Sequence, residues 1–478
     1  MSTPELPDST GFPDLTELAT QLSPNALVTD TDVIAAHSSD RALFSPVGNA
    51  LALVRATCVE DVQATVRFAA KHTIPIIPSG ARTGLSGGIN ALDGCILLSV
   101  AKMNRILEVN TLDGTVTVEP GVINLDLKKH LADFNLSYPP DPGSVAISTI
   151  GGNVATNAGG MCCVKYGVTR DFVRSLKVVT ADGEVTTVGR NTAKGVAGFD
   201  LAQLFIGSEG TLGVIVEVTL RTVPKLADPL TSVALFSDPV HAARTVTDYL
   251  GKGATPSLLE YMDGGTIEAV NAYQSFGLPS GAGAMLIVQS DGSGSMTRAQ
   301  EDLELFQQVA QDNGATDVMY SDDPRDSESL VAARRAVAPA NEKLAHSRGG
   351  GELVDDVCVP RGRLAEFFER QAQIAQKFPD ILVIACGHAG DGNMHPNVIF
   401  DAGDPVSTQH AKEAFGMIMQ AGLDLGGTIT GEHGVGVLKA EWLARELSPS
   451  AQKMHVAIKQ ALDPQGIFSP GKMLSHLK

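Results

Sequence analysis

Three glycine-rich segments between residues 78 and 160 constrain this chain more than any other feature of its sequence. They are Pro78-Ser79-Gly80-Ala81-Arg82-Thr83-Gly84-Leu85-Ser86-Gly87-Gly88, then Pro140-Asp141-Pro142-Gly143-Ser144, then Ile150-Gly151-Gly152-Asn153-Val154-Ala155-Thr156-Asn157-Ala158-Gly159-Gly160. Glycine lets the main chain approach a ligand closely and take φ > 0. Successive N–H groups then form anion-binding concavities, and Ser, Thr and Asn add donors. One such segment reads as a surface turn; three in so short a window exceed what ordinary short connections need. Neither G-x-G-x-x-G nor G-x-x-x-x-G-K-[ST] occurs here, so a diphosphate would be held by a different fold. The chain has 49 glycines in 478 residues, about a tenth against a usual ~7%.

Composition narrows the class. With 43% hydrophobic residues the chain can build real cores. Its 36 basic and 54 acidic side chains leave a net charge of −18, which disfavours nucleic acid and anionic membrane surfaces as partners. No apolar run approaches the ~18 residues that span a bilayer. The N-terminus carries Glu5, Asp8, Asp14 and Glu17 and no basic residue up to Pro24, the wrong charge for a signal peptide. The six cysteines (Cys58, Cys95, Cys162, Cys163, Cys358, Cys386) form no C-x-x-C pair and read as reduced thiols of a cytosolic protein.

Residues 1–45 read as a leader with one weak helix at 14–22. Strands are expected at 51–57, 74–77, 95–100, 115–119 and 214–223, and helices at Val59–His72 and 124–134. Residues 138–167 read as one long ordered loop. A boundary is expected at 224–229. Beyond it, strands are expected at 232–236, 284–289, 318–321, 354–359 and 382–385. Helices are expected at 240–250, 299–313, 327–346 and, near the end, 438–462. An amphipathic helix carries Leu364, Phe367, Phe368 and Phe378. This interleaving implies an α+β fold, with a sheet layered on one face by helices. The domains expected are the leader 1–45, a first domain 46–225 and a second domain 226–478.

Histidines mark the second domain. Gly387-His388-Ala389-Gly390-Asp391-Gly392-Asn393-Met394-His395-Pro396-Asn397 follows an apolar strand, and Gly431-Glu432-His433-Gly434-Val435-Gly436 precedes a helix. A lone histidine would read as a satisfied turn residue. His-x6-His with Glu-His, all flanked by glycine, reads as a joint site for a divalent metal, Zn or Mn. On a straight strand an odd separation puts His388 and His395 on opposite faces; the bend at Gly390-Asp391-Gly392 could reunite them. Asp391 reads as a turn former.

PIIPSGARTGLSGG, PPDPGS, TIGGNVATNAGG with KYGVTRD, and FIGSEGTLGVI together resemble the flavin-binding domain of the vanillyl-alcohol oxidase/p-cresol methylhydroxylase (PCMH) family over roughly residues 46–224. The resemblance implies FAD. It assigns the pyrophosphate to Pro78, Ser79, Gly80, Ala81, Arg82, Thr83, Gly84, Leu85, Ser86 and Gly87. Further cofactor positions are Pro142, Gly143, Ser144, Ile150, Gly151, Gly152, Asn153, Ala155, Thr156, Asn157, Gly159 and Gly160. Tyr166, Gly167, Glu209, Gly210 and Ile215 complete the set. Arg82 reads as bracing its loop, and Glu209 as either capping a turn or orienting the flavin. No histidine lies between His72 and His130, so the FAD is expected to be non-covalent.

GHAGDGNMHPN, GEHGVG and LDPQGIFSPGKM resemble the cap domain of FAD-linked D-2-hydroxyacid dehydrogenases over roughly residues 228–476. The resemblance implies a metal on His388, His395 and Glu432, His433 as catalytic base and Asn397 as a substrate contact. A carboxylate anchor should be an arginine; Arg334 falls where the family carries one. D-2-hydroxyglutarate members have a lysine two residues before an aspartate, and in Leu353-Val354-Asp355-Asp356 that place is held by Val354. The expected substrate is therefore D-lactate or glycolate, oxidised to the 2-keto acid by metal-assisted deprotonation at His433 and hydride transfer to flavin N5. Alternatives are a D-2-hydroxyglutarate dehydrogenase, an FAD-binding subunit of a glycolate oxidase complex, and an ether-forming flavin synthase. No C-x-x-C-H, iron–sulfur run or NAD fingerprint is present, so an external acceptor is expected: quinone, cytochrome or electron-transfer flavoprotein. The other expected partner is a second copy in a homodimer. The expected location is the cytoplasm, compatible with a peripheral place at the inner face of the membrane.

Overall fold

The computed structural model describes residues 13–478; the first part of the expected leader, 1–12, lies outside the described residues. The chain forms two compact units, each mixing helix and sheet as the α+β expectation requires. One unit comprises residues 13–158, Val168–Lys225 and Glu432–Lys478, and the other Gly159–Gly167 and Leu226–Gly431.

The first unit holds a four-stranded sheet in the order Leu27–Val28, Ala52–Arg55, Ile96–Ser99, Ile76–Ser79. The last three are parallel, and the crossover helix Val59–His72 buries Val62, Val66 and Ala69. That helix starts where its apolar period starts, carries Glu60 and Asp61 in its first turn, and stops at Thr73 in the left-handed region (φ 54°). Buried Asp61 accepts the N–H groups of Thr57 at 2.9 Å and Ser23 at 2.7 Å. Leu18, within the stretch read as a leader, is buried in this core beside Val54, Val66 and Phe468.

A five-stranded antiparallel sheet follows in the order Ile106–Asn110, Thr115–Val118, Val214–Arg221, Val173–Val179, Val185–Gly189. Residues 138–167, expected as one loop, contain helices Ile150–Thr156 and Cys163–Tyr166. Glycine-rich sequence hides the first of these. Yet the Thr149 hydroxyl caps its N-terminus, and a Cβ at Gly151 would fall 2.5 Å from Pro120. Tertiary contact, which needs the missing Cβ, overrides helix propensity.

The C-terminal tail returns to the first sheet. Ile76 N–H donates to Ile467 O and Ser469 N–H to Ile76 O, at 2.7 and 2.9 Å, so the tail lines the free edge of Ile76–Ser79. Helix Pro449–Leu462 is tied to it by Lys459, whose Nζ donates to Thr211 O and Phe468 O and pairs with buried Asp463. Burial pushes the Lys459 ammonium below its ordinary value, against the pull of Asp463.

The second unit is one antiparallel sheet in the order Asp317–Ser321, Leu230–Phe236, Ala284–Ser290, Leu258–Asp263, Leu382–His388, Asn393–Asp401, Gly350–Val354, with Val357–Cys358 also on Asn393–Asp401. Every residue of Leu230–Phe236 and Ala284–Ser290 is buried, so both faces are covered rather than the one expected. Helix 327–346 is two helices, Pro324–Arg335 and Val337–Ser347. Pro339 sits in the first turn of the second, where its missing N–H cannot continue the ladder. Strand Leu258–Asp263, helix Gly264–Tyr273 and the long helix Pro405–Asp424 were not expected.

Lys459→Met leaves Asp463 buried without its cation. The cofactor-free protein should lose ~3 kcal/mol or more, read as a lower urea midpoint of the tryptophan signal from Trp442.

Candidate functional site

In the first unit, strand Ile76–Ser79 delivers the chain into residues 80–88. Several contacts fix that loop. A Cβ at Gly80 would lie 2.1 Å from Thr149 Oγ1, which places the loop against the start of helix Ile150–Thr156. Gly87, at φ +74°, donates its N–H to Asp40 Oδ2 at 2.9 Å. Lys472 Nζ, almost fully buried, donates to Asn90 O at 2.6 Å. Burial lowers the Lys472 ammonium to about 8 and raises the Asp40 carboxyl. Arg82, at φ 59°, donates from Nη2 to Ala36 O at 3.4 Å.

The same unit sets residues 149–157 and 207–210 beside this loop. Gly207 N–H donates to Val154 O and Glu209 N–H to Ala155 O, at 3.0 and 2.8 Å. A Cβ at Gly88 would meet Glu209 Oε2 at 3.2 Å, and one at Gly210 would meet Pro78 at 3.3 Å. Ile215 is buried in strand Val214–Arg221. Gly143 and Ser144 lie in the turn after Pro142 O, which accepts Val145 N–H at 2.8 Å. Gly159, Gly160, Tyr166 and Gly167 belong to the second unit instead. There the Tyr166 hydroxyl and the Lys165 ammonium both bond Asp291, and burial raises the phenol well above its ordinary range.

Glu209 caps main-chain N–H groups, and they belong to a turn far along the chain rather than to the turn that follows it. Its Oε1 accepts Val435 N–H and its Oε2 accepts Gly436 N–H, both at 2.7 Å. Val437 and Leu438 donate to Ser86 O at 2.9 and 3.0 Å. A Cβ at Gly436 would strike Ser86 O at 2.1 Å. Residues 434–438 are thus moulded onto the residue 80–88 loop around one buried carboxylate, whose pKa burial raises despite the two donors. Half-buried Glu432 and His433 stand at the head of this turn, with Glu432 Oε1 and His433 Nε2 3.9 Å apart.

In the second unit the hairpin register decides the geometry. Strands Leu382–His388 and Asn393–Asp401 pair antiparallel, with His388 opposite Asn393 and Cys386 opposite His395. Directly opposed residues share a face, as do residues two apart on one strand. His388, Asn393, His395 and Asn397 therefore point the same way, although 388 and 395 are an odd number apart. The turn at 389–392 supplies the reversal: Asp391 N–H donates to His388 O at 3.0 Å, as its reading as a turn former implies, and Gly392 takes φ +79°. The imidazole centroids lie 4.9 Å apart, edge to face.

The neighbouring strand adds a carboxylate to this face. Tyr261 pairs with Gly387, so Glu260 falls beside His388. Glu260 Oε1 meets His388 Nδ1 at 2.7 Å, and Glu260 Oε2 accepts Arg334 Nε at 2.7 Å. Arg334 is buried and is not a solvated helix charge. On the other side, in the link between strands Gly350–Val354 and Val357–Cys358, Asp356 Oδ1 lies 3.3 Å from His395 Nδ1 and accepts Asn393 Nδ2 at 2.7 Å, while Asp356 Oδ2 accepts Thr430 Oγ1 at 2.7 Å. Asn397 Nδ2 donates to His395 O at 2.9 Å, and Val354 is opposite Asn397 in the ladder. Glu260 and Asp356 were not singled out from sequence. A charged residue inside the apolar run Leu258–Asp263 was the one available signal for the first.

The back of the chain, residues 228–473, matches the family described as FAD linked oxidases, C-terminal domain. The front, residues 50–189, matches the FAD binding domain family. The chain belongs to the FAD-linked oxidase family. It is an FAD-dependent oxidoreductase. It is 38% identical over 416 residues to glycolate oxidase subunit GlcD of Bacillus subtilis, covering 87% of each chain. It is 32% identical over 477 residues to D-lactate dehydrogenase of Anaerostipes hadrus, covering 97% of this chain and 98% of that one. The solved structure of p-cresol methylhydroxylase with substrate bound matches with a TM-score of 0.80 at 18% identity, covering 96% of each chain, which shows a shared fold.

The residues of this FAD-linked oxidase fit the two groups its motifs imply. Asn153 Nδ2 and Ser148 Oγ are buried and meet no hydrogen-bond partner among the described residues. Such orphans beside glycine loops that exclude a Cβ suit an FAD diphosphate or ring edge. Two buried imidazoles, each with Nδ1 facing a carboxylate, suit a divalent metal taken on Nε2. Among the described residues no helix is long and apolar enough to cross a membrane.

Gly80→Ala pushes a methyl into Thr149 Oγ1. FAD retained through gel filtration should fall about tenfold, as expected for ~1.4 kcal/mol or more of overpacking. Gly251→Ala, where a Cβ meets nothing within 4 Å, should retain full occupancy.

Proposed function

We propose that the chain oxidises a D-2-hydroxy monocarboxylic acid, with D-lactate and glycolate favoured, to its 2-keto acid. The observation that carries this reading is the single sheet face that collects Glu260, His388, His395 and Asn397, with buried Arg334 paired to Glu260. It supports a polar, oriented site for a small acid. The resemblance assigns Glu432 as a third metal ligand and His433 as the base.

In this reading Arg334 pairs with the substrate carboxylate, and Asn397 contacts the substrate beside it. His433 takes the proton of the 2-hydroxyl. A divalent metal on His388, His395 and Glu432 supplies Lewis acidity that lowers the hydroxyl pKa. Non-covalent FAD, held by the 78–88, 142–144 and 150–157 segments with Glu209, Gly210 and Ile215, supplies the hydride acceptor. We place the functional boundaries at 46–225 for the cofactor domain and 226–478 for the substrate domain. Electrons leave to an external quinone, cytochrome or electron-transfer flavoprotein.

Val354 supports a monocarboxylate. It stands directly across the ladder from Asn397, so the neighbour of the proposed substrate contact is apolar rather than cationic. A second carboxylate there would be unpaired, a costly state for a charge out of water. A second reading has support in the relative named as a glycolate oxidase subunit: this chain would then be the flavin-bearing member of a complex.

Anaerobic mixing with D-lactate or glycolate should bleach the flavin absorbance; no bleaching with these or with D-2-hydroxyglutarate removes the dehydrogenase reading. His433→Ala should stay yellow and lose at least about 100-fold in the reduction rate. Val354→Lys should shift kcat/KM towards D-2-hydroxyglutarate by about tenfold or more, the worth of one charge-assisted hydrogen bond; an unchanged ratio removes Val354 as the reason for monocarboxylate preference.

A further inference from the structure

We propose that Glu260 is a positioning residue that sets His388 and Arg334 together, so that metal affinity and substrate-carboxylate affinity depend on one buried carboxylate. The inference deepens the reading above and rests on it for the roles of the two partners.

Glu260 is fully buried in the middle of the sheet, on strand Leu258–Asp263. A carboxylate there is stable only when each oxygen is answered. Oε2 is answered by Arg334 Nε at 2.7 Å, from helix Pro324–Arg335. Oε1 is answered by His388 Nδ1 at 2.7 Å, from strand Leu382–His388. A guanidinium is always protonated, so Arg334 answers one oxygen of Glu260 with a fixed positive charge.

An ionised carboxylate is an acceptor only. It therefore holds the His388 proton on Nδ1 and directs the lone pair to Nε2, the nitrogen that a metal would use. On its other side the carboxylate takes the Nε edge of Arg334 and so fixes the plane in which the guanidinium meets any further anion. One side chain thus sets a tautomer on one side and a plane on the other. His395 has its own carboxylate, Asp356 at 3.3 Å from Nδ1, whereas Arg334 meets Glu260. This difference separates the two carboxylates experimentally.

The test uses full-length, FAD-loaded Glu260→Gln, Glu260→Asp and Asp356→Asn. Zn²⁺ affinity is measured by chelator competition without substrate, and KM for D-lactate and glycolate at saturating Zn²⁺. Glu260→Gln should weaken Zn²⁺ about 10- to 100-fold and also raise KM by tenfold or more. Glu260→Asp, which keeps the charge, should recover part of both. Asp356→Asn should weaken Zn²⁺ and leave KM within about twofold, the scale of a contact that is not removed. Unchanged Zn²⁺ affinity in Glu260→Gln, or in Glu260→Asp should the first variant not fold, overturns the proposal. So does a KM change in Asp356→Asn equal to that in Glu260→Gln. Because the Zn²⁺ measurement needs no substrate, wild-type protein that binds Zn²⁺ but reduces no flavin with any 2-hydroxy acid defeats the functional reading separately.

Discussion

The antiparallel pairing of Leu382–His388 with Asn393–Asp401 is the constraint from which the rest of the second unit's chemistry follows. Pleat and register leave no freedom: a one-residue slip would send His388 and His395 to opposite faces. The turn at 389–392 fixes that register. Gly392 is needed there, because a Cβ would fall 2.1 Å from Val359 O. The next strand, Leu258–Asp263, inherits the same face and adds Glu260. Its end is held by Asp263, whose Oδ2 accepts Ala385 N–H at 2.6 Å and whose Oδ1 caps helix Gly264–Tyr273. Burial raises the Asp263 carboxyl to about 6. Its folded value lies above that of the unfolded chain, so the stability it lends is full at ~4 and below and is lost as pH rises through 6.

The first unit solves a different problem with uncharged main chain. Its glycine segments converge because close approach is possible only without a Cβ, as at Gly80 on Thr149 and Gly436 on Ser86. Charged side chains in this region brace the main chain. Glu209 caps two N–H groups, Lys472 holds Asn90 O, and Asp40 holds Gly87 N–H. A loop braced in this way loses little entropy when it receives a ligand, which is what preorganisation means in energetic terms.

Much of this was legible in the sequence, and the rest was hidden for identifiable reasons. Helix Val59–His72 was readable to the residue, because its apolar period, acidic first turn and basic last turn agree. The glycine loops and the two histidine motifs were readable because their residue types are rare in such density. Helix Ile150–Thr156 was not, since its glycines argue against a helix that only Pro120 and the Thr149 cap explain. Strand Leu258–Asp263 escaped because six residues without alternation carry no period, and with it went Glu260. Asp356 was visible only as part of an aligned run. Both carboxylates act through register, which couples residues far apart in the chain and leaves no local trace.

The claim that most needs measurement is that one sheet face holds a metal through Nε2 of His388 and His395. Anomalous diffraction from crystals of the FAD-loaded protein soaked in Zn²⁺ tests it directly. The account predicts a single strong peak about 2.0–2.1 Å from both Nε2 atoms. A peak at neither imidazole, or one on Nδ1 with Glu260 displaced, would contradict it.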